Sequence, residues 1–255
     1  MKLTVLGSGS CIPAPNRGNS GYLLEAGDKL IMLDSGAGAL RNVANFGYDY
    51  RKIHHLCYSH LHPDHTIDFV PLLFALKNDP DVGEIHRLNV NVPAGFIGYY
   101  KELLKVYNGW IQADHLDVEI TERGTGEQFS LASATVETGP VIHADESIAY
   151  RFTDRDGATL VYSGDTGYAE SFAEFARDAD LLILESAVPE GTDFAGHCTP
   201  SEAGKIAELA GAKRTMLTHF YPQVEREDIA GIAQQYYSGE ILLASDGLTV
   251  EISKH

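Results

Sequence analysis

Short apolar runs recur along the chain, separated by turns rich in Gly, Pro, Asn and Asp, and between several of them lie stretches of helical period. The runs predict strands over residues 2–6, 21–25, 30–34, 53–58, 88–92, 115–120, 128–137, 147–153, 159–162, 180–184, 214–217, 240–243 and 248–252. Helices are predicted over residues 39–46, 66–76, 93–108, 168–176, 200–210 and about 225–237. Thr199 with Glu202 three residues on reads as a capping box that opens the fourth-quarter helix, with Pro200 in its first turn. In the helix over 93–108, Phe96, Tyr99, Tyr100, Leu103, Leu104 and Tyr107 share one stripe, which reads as core packing or a cleft wall; Trp110 follows it, at a cleft rim or a dimer contact. Both halves mix strands with helices, so the pattern predicts a duplicated, layered α/β plan without a residue-level repeat. Residues 77–87 read as a polar loop, and no linker or low-complexity tract divides the chain.

Composition narrows the class. A chain of 255 residues is long enough for a substantial core, and we expect a single domain over 1–255. Its 36 acids against 19 bases give a net charge of −17, which argues against extended nucleic-acid tracking but leaves room for a small anionic substrate beside bound cations. Three cysteines, Cys11, Cys57 and Cys198, form no CxxC, which fits a reducing compartment. The apolar run at residues 1–7 is too short for a signal peptide and nothing reaches transmembrane length, so a cytoplasmic protein without membrane contact is expected.

The chemistry concentrates in Ser59-His60-Leu61-His62-Pro63-Asp64-His65, between a predicted strand and a predicted helix. Residues two apart on extended chain point the same way, so His60 and His62 face one point, and Asp64 and His65 aim back at it from the helix mouth. Neutral imidazole and carboxylate are ligands of divalent first-row metals. Further candidates stand at other strand ends: His143 after Gly139-Pro140, Asp165 in Ser163-Gly164-Asp165-Thr166-Gly167, and His219 after Thr218. Asp34 ends a strand and reads as a carboxylate that orients a ligand, as the N-cap of the helix over 39–46, or as both together. Gly7-Ser8-Gly9-Ser10 lacks the full dinucleotide spacing and reads as a tight turn near a site. Arg17, in the loop behind it, is the basic residue expected near a phosphate, while His54, His55, His86, His115 and His255 read as structural or surface residues.

In its order of HxHxDH, His, Asp and His, the sequence resembles the metallo-β-lactamase superfamily over essentially the whole chain. The resemblance implies a four-layer αββα sandwich, with His60, His62 and His143 on one metal, Asp64, His65 and His219 on a second, Asp165 bridging, and Asp34 behind them. True β-lactamases usually place Cys where Asp165 stands, which argues against antibiotic hydrolysis, and the short stretch after His219 leaves no room for the C-terminal helical domain of glyoxalase II. Leu6-Gly7-Ser8-Gly9, Ser163-Gly164-Asp165-Thr166, Glu185-Ser186 and Gly196-His197-Cys198-Thr199 are most similar to the ribonuclease Z branch and its small phosphodiesterase relatives, including the cyclic phosphodiesterases of phosphonate breakdown. Glu185 matches that branch's HEAT-like Glu, with Leu184-Glu185-Ser186-Ala187 keeping the motif in part, and His197 matches its loop His. The long basic insertion that grips tRNA would fall between His143 and Asp165, where two predicted strands stand instead.

The implied activity is a binuclear metal-dependent hydrolase, a phosphodiesterase for a small or nucleotide phosphodiester, attacked by hydroxide held between two divalent ions. Zinc is the expected metal, with manganese or iron as substitutes. Asp64, His197 and Glu185 are the catalytic candidates, His197 as proton donor to the leaving oxygen and Glu185 as its holder. A tRNA 3′-processing endoribonuclease and a thioester or lactone hydrolase are the alternatives on the same metals. A homodimer is expected from the branch.

Overall fold

The protein is described here by a computed structural model covering residues 1–83 and 86–254. Glu84 and Ile85 of the expected 77–87 loop, and His255, lie outside the described residues. The first half runs β1 (Lys2–Gly7), β2 (Gly21–Ala26), β3 (Lys29–Ser35), α1 (Ala39–Asn45), β4 (Ile53–Cys57), α2 (Pro63–Thr66), α3 (Phe69–Asn78), β5 (His86–Pro93), α4 (Phe96–Val106) and β6 (Leu116–Arg123). The second runs β7 (Gln128–Leu131), β8 (Ala134–Pro140), β9 (Ile148–Thr153), β10 (Thr159–Tyr162), α5 (Glu170–Phe175), β11 (Leu181–Glu185), α6 (Pro200–Ala210), β12 (Arg214–Thr218), α7 (Ile229–Ala233), β13 (Glu240–Leu243) and β14 (Thr249–Glu251).

The strands form two seven-stranded sheets, ordered β14-β1-β2-β3-β4-β5-β6 and β13-β12-β11-β10-β9-β8-β7. Their inner faces meet in one core, where Leu3, Val5, Tyr22 and Leu33 of the first sheet join Tyr150, Phe152, Leu160, Tyr162, Ile183 and Met216 of the second. The outer face of the first sheet packs Leu23, Met32 and Leu56 against Val43, Phe69, Leu73 and Phe96 of its helices. The outer face of the second packs Val161, Leu182 and Leu217 against Phe172, Ile206 and Ala233. Helix, sheet, sheet and helix therefore make the αββα sandwich. Covering on both faces explains why the central strands read as unbroken apolar runs: Leu181 and Ile183 point inward while Leu182 and Leu184 point outward.

Several elements depart from the pattern. The single strand expected over 128–137 is a hairpin, β7 and β8, that turns at Ala132 with a positive φ of 52° and pairs Leu131 with Ala134. The helix expected over about 225–237 breaks, because the Asp228 side chain accepts from Gly231 N–H and starts α7 afresh. The helix expected from 66 begins as two pieces, α2 and α3. Asp34 does not cap α1; Asp68 does, accepting from the N–H groups of Gly38 and Leu40. The Thr199–Glu202 capping box is present, both bonds formed. Among the described residues no helix is long and apolar enough to cross a membrane.

Strands β3 to β6 run parallel, as do β10 to β13. Parallel strands bring their C-terminal ends to one edge, where loops gather and ligands bind in open α/β sheets. Asp34 near the end of β3, His60 beyond β4, Asp165 beyond β10, Glu185 closing β11 and His219 beyond β12 all stand at such ends.

Candidate metal centre

The segment after β4 leaves the sheet as extended chain, and Pro63 then fixes the first turn of α2. His65 N–H and the Thr66 hydroxyl both donate to the His62 carbonyl, which locks the turn that carries Asp64 and His65. Gly164 has a positive φ of 60°, and a Cβ there would stand 2.4 Å from Ser59 Cβ. Only glycine therefore lets Asp165 approach the histidine segment from the opposite sheet. Gly196 does the same for its own loop: a Cβ there would fall 2.9 Å from His143 Nδ1.

Seven side chains converge as two groups that share one carboxylate. His60, His62, His143 and Asp165 form the first group, with His143 Nε2 3.1 Å from His62 Nδ1 and with His60 Nε2 and His143 Nε2 each 3.7 Å from Asp165 Oδ2. Asp64, His65 and His219 form the second, with the two Nε2 atoms 3.3 Å apart and Asp64 Oδ2 3.4 Å from His219 Nε2. Asp165 Oδ1 faces this group, 3.2 Å from His65 Nε2 and 3.5 Å from His219 Nε2. Each oxygen of Asp165 thus serves one group.

The backs of the rings decide their tautomers. The Ser59 hydroxyl donates to Asp34 Oδ2, so its oxygen accepts from His60 Nδ1–H at 3.0 Å. His65 Nδ1–H donates to Asp34 Oδ2 at 2.7 Å, and His143 Nδ1–H to the Gly196 carbonyl at 2.9 Å. The Nε2 atoms of these three rings face Asp165, and those of His65 and His143 also face the rings of His219 and His62, an arrangement that a central cation reconciles. Donor atoms this far apart match the edge of a tetrahedron with metal bonds of about 2.0–2.1 Å. His60 Nε2 and Asp165 Oδ1 are buried without a hydrogen-bond partner, as expected of atoms that serve an ion instead. Burial, then the neighbouring His65, hold the His60 pKa well below its usual value, which keeps it a neutral ligand. Burial also opposes charge on His65, yet Asp165 and Asp34 raise its pKa well above the usual range; the same carboxylates attract a cation. Asp34 and His219 both hold left-handed backbone, φ 51° and 60°, strain of the kind that collects at functional sites.

Beside the second group stands His197. Its Nδ1–H donates to Glu185 Oε1 at 3.0 Å, and Glu185 also accepts from the N–H groups of Thr166 and Cys198. The His197 ring stacks between His219, with centroids 5.7 Å apart, and Phe194, 5.0 Å away. Burial works against its charge more than any other single influence, but the hydrogen bond to Glu185 together with the charges of Glu185, Asp165 and Asp64 outweighs it and raises the His197 pKa.

Arg17 is turned from the site: its guanidinium donates to Glu225, the Ser8 hydroxyl and the Ala244 carbonyl and lies over Phe220, so it braces the Gly-rich turn instead of meeting a phosphate. His54 stacks on His86, while His86 and His115 bond backbone carbonyls. Trp110 is 65% exposed in the turn that follows α4. Sequence reasoning missed Ser59, although it adjoins His60, and missed Phe194 and Tyr221, whose rings meet His197 only through the fold.

Residues 30–220 match the family described as the beta-lactamase superfamily domain. The chain is 33% identical to the probable metallo-hydrolase YhfI of Bacillus subtilis, over 98% of this chain and 100% of that protein. The crystal structure of YhfI from Bacillus subtilis, a metallo-β-lactamase fold protein, is similar with a TM-score of 0.86 at 30% identity, covering 99% of each chain. Human tRNase Z, short form, shares the fold at a TM-score of 0.78 and 21% identity, over 99% of this chain and 100% of that one. The match takes in His60, His143, Asp165 and His219 together with the strands that carry them, and on that footing the chain belongs to the β-lactamase superfamily.

Proposed function

We propose that the protein is a metal-dependent hydrolase of phosphodiesters. His60, His62 and His143 would hold one divalent ion, Asp64, His65 and His219 a second, and Asp165 would give one oxygen to each. Zinc suits this imidazole and carboxylate set, with manganese or iron as substitutes. When bound, the ions supply an acidified water and positive charge beside the phosphoryl oxygens.

The observation that carries the substrate class is the His197–Glu185 pair, set against His219 at the edge of the clusters. Glu185 fixes Nδ1–H and favours the protonated ring, which leaves the Nε2 proton for the departing oxygen. A phosphodiester with an alkoxide leaving group needs such a donor, because the alkoxide is a strong base. A thioester or activated lactone needs it less. Asp34 would hold His65 in its ligand tautomer through the step. Human tRNase Z, named for an RNA substrate, has the same fold, but a net charge of −17 favours a small diester over a long polyanion here.

The test is hydrolysis of bis(p-nitrophenyl) phosphate by zinc- or manganese-loaded protein, with a chelator control. Turnover abolished by the chelator is the expected result. No turnover by the loaded protein overturns the reading and turns attention to thioesters and lactones.

A further inference from the structure

The two clusters draw their side chains from both sheets: His60, His62, Asp64 and His65 follow β4 of the first, and His143, Asp165 and His219 follow β8, β10 and β12 of the second. Something must hold the two half-sites in register, since a shift of an ångström between sheets would part the donors. The inter-sheet core is mostly apolar and non-directional. Backbone bonds cross at its rim, Ile148 N–H to the Ser59 carbonyl and Phe220 N–H to the Ser8 carbonyl, and among the described residues three buried tyrosines add side-chain contacts, Tyr162 also meeting the Ser20 hydroxyl at 3.2 Å. Tyr22 Oη meets Thr218 Oγ1 at 2.6 Å, Tyr150 Oη donates to the Tyr58 and Asn91 carbonyls, and Tyr162 Oη donates to Asp34 Oδ2 at 2.5 Å.

Tyr162 differs from the other two in what it touches. It closes β10 three residues before Asp165, and its partner Asp34 is 128 residues away on β3. Asp34 is itself fully buried and holds four donors: Ser59 N–H on Oδ1, and the Ser59 hydroxyl, His65 Nδ1–H and the Tyr162 hydroxyl on Oδ2. Through Ser59 the same carboxylate reaches His60 Nδ1. Of the four donors, the Tyr162 hydroxyl is the one that comes from the second sheet, on the strand that delivers Asp165, and it ties that strand to the carboxylate that orients His60 and His65.

We propose that Tyr162 is a positioning residue for the metal centre: its bond to Asp34 locks the two half-sites together and sets the affinity for the divalent ions. The geometry favours this over a plain core role. A Phe ring would fill the same volume, and the left-handed backbone of Asp34 holds only while its surroundings over-determine it. Loss of such outer partners costs about 10–100-fold in metal affinity. The proposal rests on the metal site above and not on the choice of phosphodiester as substrate.

The experiment compares zinc affinity, by competition with a chromogenic chelator, in wild type, Tyr162→Phe and Tyr150→Phe. Tyr150 is the control, since its hydroxyl also crosses the core but touches only backbone carbonyls. The expected result is at least tenfold weaker zinc binding in Tyr162→Phe, with a folded circular dichroism spectrum, and affinity unchanged in Tyr150→Phe. Equal zinc affinity in Tyr162→Phe and wild type, or equal weakening in both variants, overturns it. In metal-free wild type, NMR should find the Tyr162 hydroxyl proton close to His65 Nδ1–H; this arm stands if Tyr162→Phe fails to fold, and absence of that contact overturns the proposal. Wild type that binds no divalent ion overturns the metal reading and this proposal with it, whereas bound ions without diester hydrolysis overturn only the substrate class.

Discussion

His197 is the residue whose role is most open to a decisive mutation. Its ring is clamped by Phe194 and His219 and tied to Glu185, which leaves one nitrogen to act. If that nitrogen protonates the leaving oxygen, the penalty for losing it depends on how basic the oxygen is. His197→Ala should cut turnover of an alkyl phosphodiester by about a hundredfold or more, while nitrophenolate esters lose much less. Rates over a series of leaving groups check this, and parallel losses across the series would remove the donor role. Residue identity made much of this legible beforehand, because His, Asp and Glu at strand ends stand out against an apolar background. What stayed hidden were ordinary residues with distant partners. Ser59 carries no signal of its own, and nothing near Tyr162 in the chain points to Asp34. Arg17 shows the converse: a cation beside a Gly-rich turn reads as available for phosphate, but Glu225, from a 3-10 turn more than two hundred residues later, engages it.

Elements were legible where local chemistry decides them. The capping box of α6 is one such case: Thr199 and Glu202 satisfy each other's end of the helix, and the cap lies two residues after His197. Thr199→Ala should lower stability by about 1 kcal/mol, read as a lower urea midpoint with an unchanged slope, with metal content retained. A loss of bound metal without loss of stability would show that the cap acts on the site and not on the helix. Elsewhere local chemistry misled or was silent. The hairpin at Ala132 has no Gly or Asn to mark its turn, so an apolar-rich stretch read as one strand. Asp228 looked like an ordinary helix residue and proved to be a cap that restarts α7. Asp34 is a fair candidate to cap α1, but its oxygens are taken by Ser59, His65 and Tyr162, and Asp68, between α2 and α3, takes the helix end.

At the scale of the whole molecule, the layering was legible but the allotment of strands was not. Strands covered on both faces look alike in sequence whichever sheet they join. The last strand shows this: β14 leaves the neighbourhood of β13 and pairs with β1, setting Leu3 opposite Val250. Net charge needs no fold to be read, and it separates the two phosphodiester readings. A surface of −17 repels a small anionic diester at long range, and the two ions would offset only a minor part of that field. Salt screens the repulsion, since the Debye length falls from about 30 Å at 0.01 M to about 8 Å at 0.15 M. kcat/KM for an anionic diester should therefore rise, by about twofold or more, over that range of ionic strength. A protein that grips RNA through a basic surface behaves in the opposite way, because added salt competes with its phosphate contacts. Steady-state rates for a small diester and for a tRNA precursor, each measured across the same salt series, carry the decision. A rise for the small diester supports a site fed against the charge of its own surface, and a steep fall for the precursor would show a basic grip that the net charge conceals.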